Sequence, residues 1–211
     1  MKSNPKQKTN RSFKGKKTPR KPSVKKARIQ AAQQSNLMHK YFKQVVPFMI
    51  KQHHYQNSMA VPRLQKVVIN CGIGPWLENK EMQTNVYNDL KIITAQKPVY
   101  TLAKQAISGF KIKQNQPVGI KVTLRGLRMY DFLERLITVA LPRTKDFQGI
   151  PVANFGQKGN LNIGIKEHTA FAEIDTDTIN YTFGFQVNII NSAQDTKESI
   201  ALMKQLGFPI Q

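Results

Sequence analysis

Residues 103–126 read AKQAISGFKIKQNQPVGIKVTLRG, and the second half of the stretch decides the fold class. Val118, Ile120, Val122 and Leu124 alternate with Gly119, Lys121, Thr123 and Arg125, the two-residue period of a strand that buries one face and leaves the other open. One face is aliphatic and the other basic. The quoted residues hold five cations and no carboxylate, and the acid-free run extends from Leu90 to Tyr130 with eight Lys or Arg inside it. Folded surfaces ordinarily mix signs. A face of one sign is expected to meet a polyanion.

Outward from this strand, LQKVVIN at 64–70, LNIGIK at 161–166 and FQVNII at 185–190 are further strands. The spacing of Leu37, Tyr41 and Val45, with Met38, Phe42 and Met49, predicts a helix from Ala27 to about His54, interrupted or ended near Pro47. After the turn GIGP, a helix is expected from about Asn79, with Glu78 and Glu81 at its positive end and Met82, Val86, Leu90 and Ile93 as its apolar stripe, stopped by Pro98. Met129, Phe132, Leu133, Leu136, Ile137 and Ala140 mark another helix, with Pro142 just past its end. A long glycine-bearing loop from Arg143 to Asn160 follows. The last helix opens with Asp195 and Glu198 at capping-box spacing and closes at Gly207. This order predicts an α+β fold: a mostly antiparallel sheet with helices packed on one face, long hairpin and loop extensions, and the other face free for a partner.

The 211 residues carry a net charge of +21, unevenly placed: residues 1–28 hold twelve Lys or Arg and no acid, which leaves 21 cations against twelve acids, or +9, for the rest. Three prolines, few apolar residues and one sign of charge predict that residues 1–28 are a basic N-terminal extension that cannot fold alone, ahead of a single domain at 29–211. Lys14, Lys16, Lys17, Arg20, Lys21, Lys25, Lys26 and Arg28 are its candidate RNA contacts. A mitochondrial presequence is the rival reading, but such peptides are Arg-rich and amphipathic, and this one has nine Lys to three Arg.

Several chemistries find no support in the chain. No apolar run is long enough to span a membrane, and no membrane partner is expected. A single cysteine, Cys71, excludes a disulfide framework and a thiolate zinc site, and reads as a small buried residue at a strand end. His53 and His54 diverge, and His39 and His168 have no partner at ligand spacing, so neither metal nor cofactor is expected. INCGIGPWL shares only two glycines with a dinucleotide fingerprint, and Pro75 interrupts it. Glu173, Asp175 and Asp177 read as solvated acids on an exposed strand edge. SGFKIK shares a fragment with an aromatic RNA-binding motif whose other aromatics are missing. What remains is Lys and Arg interleaved with Gln, Asn and Thr, a set suited to phosphates, riboses and the shape of a folded RNA.

VVIN at 67–70, TAQKPV at 94–99, the Ala-Lys pair at 103–104 with SGFKIKQNQPVG, KVTLRG at 121–126, RMYDFLERL at 128–136, ALPRTKDFQG at 140–149, GIKE and the terminal LGFPI resemble, in that order, the universal large-subunit ribosomal protein five family, over residues 37–211. The resemblance implies a non-enzymatic constituent of the central protuberance that binds 5S rRNA through the sheet face. Asn70, Gln96 and Thr123 fall at the family's RNA contact, with Lys97, Lys121 and Arg125 beside them. It also implies a hairpin at about 103–119 whose Lys104, Lys111 and Lys113 face the peptidyl-site tRNA, and a 143–160 loop toward a protein of the small-subunit head. The implied partners are thus 5S and large-subunit rRNA, that tRNA and neighbouring ribosomal proteins.

The chain departs from the family pattern at Ala95, where Gly is usual before Gln96, and at Leu102 and Gln105, which replace cations. FAEI and INYTFGF depart near 171–185. This drift, with the Lys-rich arm, leads to the expectation of an organellar, mitochondrial ribosome, with plastid or bacterial cytoplasm as alternatives. In a ribosome without 5S rRNA, the same face would dock another rRNA segment or a protein. Two other function classes compete: an RNA-modifying or RNA-cleaving enzyme, for which no titratable pocket is legible, and a nucleic-acid chaperone driven by the arm alone.

Overall fold

The computed structural model describes residues 35–145, 147–175 and 181–211. Five strands form one antiparallel sheet: β1 (Leu64–Gly72), β2 (Val99–Leu102), β3 (Pro117–Leu124), β4 (Leu161–Ile165) and β5 (Phe185–Asn191), in the spatial order β2-β3-β1-β5-β4. Among the described residues, four longer helices accompany it: α1 over 36–53, α2 (Lys80–Thr94), α3 over 127–143 and α4 (Thr196–Leu206). Val67, Ile69 and Cys71 of β1, Ile120, Val122 and Leu124 of β3, and Val187 and Ile189 of β5 join Val86, Leu90 and Ile93 of α2, Phe132, Leu133 and Leu136 of α3, and Leu202, Met203 and Leu206 of α4 in one core. Each such side chain contributes roughly 1.5–3 kcal/mol by leaving water. The alternate strand positions stay outside this core, which leaves the opposite sheet face open, as the alternating pattern predicts.

The two prolines expected to end helices do not. In α1 a π turn at Tyr41–Val45 is followed by Val46–His53, and Pro47 sits in the first turn of that segment. In α3 a π turn at Leu136–Ala140 precedes Pro142 in the same way. The residue before each proline donates five residues back: Val46 N–H to the Tyr41 carbonyl, and Leu141 N–H to the Leu136 carbonyl. Proline lacks an N–H and crowds the carbonyl four residues behind it, and the widened turn accommodates both. Each helix therefore continues through its proline. The part of the first expected helix before Ser35 lies outside the described residues, as does the whole basic arm with Lys14, Lys16, Lys17, Arg20, Lys21, Lys25, Lys26 and Arg28.

Helix α2 begins as expected at Asn79, whose side chain accepts from Met82 N–H at 3.2 Å. It ends at Thr94, four residues before Pro98, with Ala95 in the left-handed conformation at φ 50° and ψ 27°. The capping-box spacing at Asp195 is not used: Asp195 occupies the N-cap of α4, but its side chain makes no cap hydrogen bond. The long loop is held at two points. Gly159, at φ 69°, leaves room where a Cβ would lie 2.8 Å from Ser199 Cβ, and its carbonyl accepts from Asn191 Nδ2 at 2.9 Å. Ile150 pairs with the C-terminal peptide, donating to the Pro209 carbonyl at 2.8 Å and accepting from Gln211 N–H at 3.1 Å. Glu173 and Asp175 lie in a turn after a short 3-10 helix rather than on a strand edge; Glu173 pairs with Arg135, and Asp177 lies outside the described residues.

Candidate nucleic-acid interface

The open sheet face can be read row by row from the strand register. Asn70 stands opposite Lys121 on one side and Gln186 on the other, and Gly164 and Val99 extend that row to both sheet edges. The adjacent row runs Asn162, Asn188, Val68, Thr123. Lys66 faces Ile190 beyond it. On the other side come Gly72, Gly119 and Thr101. Asn70, Lys121 and Gln186 are exposed, and Thr123, Asn162 and Asn188 half-buried. These rows contain no carboxylate. The face interleaves amides, the hydroxyls of Thr101 and Thr123 and lysines with Val68, Val99 and Ile190, and can donate and accept hydrogen bonds and neutralise phosphates.

Asn70, Lys121 and Thr123 are thus brought together on adjoining strands, as the alternation of VVIN and KVTL requires. Gln96 reaches the same place from the end of α2, and its Nε2 donates to the main-chain carbonyl of Thr123 at 3.0 Å. Part of its hydrogen-bonding capacity therefore holds the helix end against β3. Lys97 follows it, and Arg125 extends β3 past its last residue; both are exposed. Gly119 is required by packing: a Cβ there would lie 2.7 Å from Thr101 Oγ1 and 3.1 Å from the Cys71 carbonyl. Three members of the face, Asn162, Gln186 and Asn188, were not singled out from sequence. LNIGIK and FQVNII signalled their orientation, but nothing local signals that β5 lies beside β1.

The expected hairpin is the connection from β2 to β3, spanning 103–116, with β3 beginning at Pro117 rather than after Gly119. It is internally braced. Ile107 and Ile112 exchange main-chain hydrogen bonds at 2.9 and 3.1 Å, and Gln116 Oε1 accepts from Lys113 N–H at 2.9 Å. SGF forms a 3-10 turn, which leaves Lys111 in the left-handed region at φ 54° and Phe110 72% exposed. Lys104, Lys111 and Lys113 all point into solvent.

Titratable groups in the interior are structural. His168 is fully buried and stacks on Phe183 with ring centroids 4.1 Å apart. Its Nδ1 accepts from Phe183 N–H at 3.4 Å, which leaves the neutral ring's proton on Nε2, 3.8 Å from Asp89 Oδ2. Tyr181 donates to the same oxygen at 2.6 Å. Burial lowers the His168 pKa, against the pull of Asp89 and Glu167. Cys71 is buried near the end of β1, and desolvation pushes its thiol up to about 11. No cluster of metal-ligating side chains occurs among the described residues.

A sheet with helices on one face and, among the described residues, an open face that carries amides, hydroxyls and lysines but no carboxylate has the chemistry of a polyanion-binding surface. Residues 57–113 match the family described as Ribosomal protein L5, and residues 117–210 match the ribosomal L5P family C-terminus. The large ribosomal subunit protein uL5 of Halothermothrix orenii is 43% identical over 175 residues, covering 83% of this chain and 98% of the relative. The uL5 of Syntrophomonas wolfei is 44% identical over 177 residues, with 84% and 99% covered. That of Chloroflexus aggregans is 43% identical over 175 residues, with 83% and 97% covered. The chain belongs to the uL5 family of ribosomal proteins: it is a structural constituent of the large ribosomal subunit and not an enzyme. These relatives are bacterial, and they give the mitochondrial expectation no support.

Proposed function

We propose that the open sheet face binds 5S rRNA in the large subunit, with Asn70, Gln96 and Thr123 hydrogen-bonding to RNA and Lys97, Lys121 and Arg125 neutralising nearby phosphates. The observation that carries this reading is the direct opposition of Asn70 and Lys121 on a face that, among the described residues, has no covering helix and no carboxylate. Uncharged donors and acceptors flanked by cations match a surface of ribose hydroxyls and base edges. The basic extension at 1–28 is a separate segment that binds large-subunit rRNA, and 29–211 is the folded unit. Lys104, Lys111 and Lys113, braced on the β2–β3 hairpin, face the backbone of the peptidyl-site tRNA, since a contact that tolerates every tRNA must avoid reading bases. The 143–160 loop faces a protein of the small-subunit head. In a ribosome lacking 5S rRNA, the sheet face docks another rRNA segment or a protein instead. Titrating the purified chain with 5S rRNA tests the reading. Lys121→Gln and Asn70→Ala are expected to weaken binding while leaving the melting temperature in place, and unchanged affinity in both would contradict it.

A further inference from the structure

The open face is chemically divided. Within the strand ladders its cations are Lys66 on β1 and Lys121 on β3; β4 and β5 contribute none, and the exposed Lys166 stands just past the end of β4 as Arg125 stands past the end of β3. Instead, β4 and β5 contribute three amides: Asn162 and Asn188 directly opposite each other, and Gln186 in the next row opposite Gly164. Asn188 Oδ1 is buried and has no hydrogen-bond partner among the described residues. A buried carbonyl oxygen left in this state is destabilising until a donor reaches it. Beside these amides the surface is low, because a Cβ on Gly164 would meet nothing within 4 Å. A ligand can therefore approach the β4–β5 backbone closely.

Amides offer donor and acceptor together and carry no charge. They suit a partner presenting hydroxyls and base edges rather than phosphates. The wide, shallow minor groove of an A-form RNA helix presents both. Resting on the sheet-face reading above, we propose that Asn162, Gln186 and Asn188 contact ribose 2′-hydroxyls and base edges in a minor groove, and so form the part of the surface that tells RNA from DNA. The Lys121 side of the sheet holds the backbone. Discrimination thus rests on the β4–β5 amides, and charge neutralisation on the lysines of β1 and β3.

The test uses the full chain with 5S rRNA and with a DNA strand of the same sequence, over a range of salt. Asn162→Ala with Asn188→Ala is expected to weaken RNA binding about tenfold or more, reduce the preference for RNA over DNA, and leave the salt slope unchanged. Lys121→Gln is expected to lower the salt slope by about 0.7–0.9. Gly164→Val adds bulk only to open space and suits a strand; it should melt no lower than the parent yet lose RNA affinity. Full RNA affinity and preference in the amide and Gly164 variants, with binding abolished in Lys121→Gln, would overturn this inference and leave the sheet-face reading standing. Unaltered binding in every variant would overturn both.

Discussion

The side-chain amide of Gln96 donates to the main-chain carbonyl of Thr123 at 3.0 Å, tying the exit of α2 to the strand beside it. Gln96 and Thr123 therefore differ in what they hold. Gln96→Ala should cost about 0.5–1.5 kcal/mol of folding stability, the net worth of one hydrogen bond, and also weaken RNA binding. Thr123→Ala should weaken RNA binding at nearly unchanged stability, because only its main chain takes part in that bond. Urea denaturation alongside RNA titration separates the two, and equal stability losses would contradict the assignment.

Ala95 ends α2 in the left-handed region at φ 50°, where a Cβ is strained by about 1–2 kcal/mol. Ala95→Gly relieves that strain but adds freedom to the unfolded chain, worth about 0.4–1 kcal/mol. A net gain of about 0–1.6 kcal/mol follows from these two terms. Thermal melting of the variant reads it directly, and a lower melting temperature would show that the helix end is not strained.

His168 links pH to stability. Its folded pKa lies below the ordinary value of about 6.5, so the unfolded chain takes up the proton more readily. This contribution is complete above about pH 6.5 and is lost as pH falls through and below that value. The urea midpoint should decline from pH 7.5 to pH 5.5, and His168→Gln should show a flatter decline across the same window. An equal slope in both would assign the effect to other groups.

The basic extension supplies twelve cations and no acid. Removing residues 1–28 should weaken rRNA binding and flatten its salt dependence by about 0.7–0.9 for each phosphate that the arm neutralises. Complete loss of binding would favour a chaperone driven by the arm alone. An unchanged slope would show that the arm neutralises no phosphates.

Much of this architecture was legible because strand alternation and helical stripes are local signals. The polar faces of β1 and β3 could be read from VVIN and KVTL, and Asn70, Lys121 and Thr123 with them. Strand β2 escaped because four residues, VYTL, are too short to show a period. Both internal prolines were misread because a π turn leaves no mark in the 3.6-residue pattern, yet it lets Pro47 and Pro142 remain helical. Asn162, Gln186 and Asn188 joined the face only once the order β2-β3-β1-β5-β4 was known, since strand order is a long-range property. The link from Gln96 to Thr123 spans 27 residues and has no local signature either.

The central claim, that the helix-free sheet face meets RNA, is tested most directly by a photo-reactive residue placed at Thr123 in the assembled large subunit. The account predicts crosslinks to ribosomal RNA, with 5S rRNA as the principal adduct. Adducts to protein alone, with no RNA at that position, would contradict it.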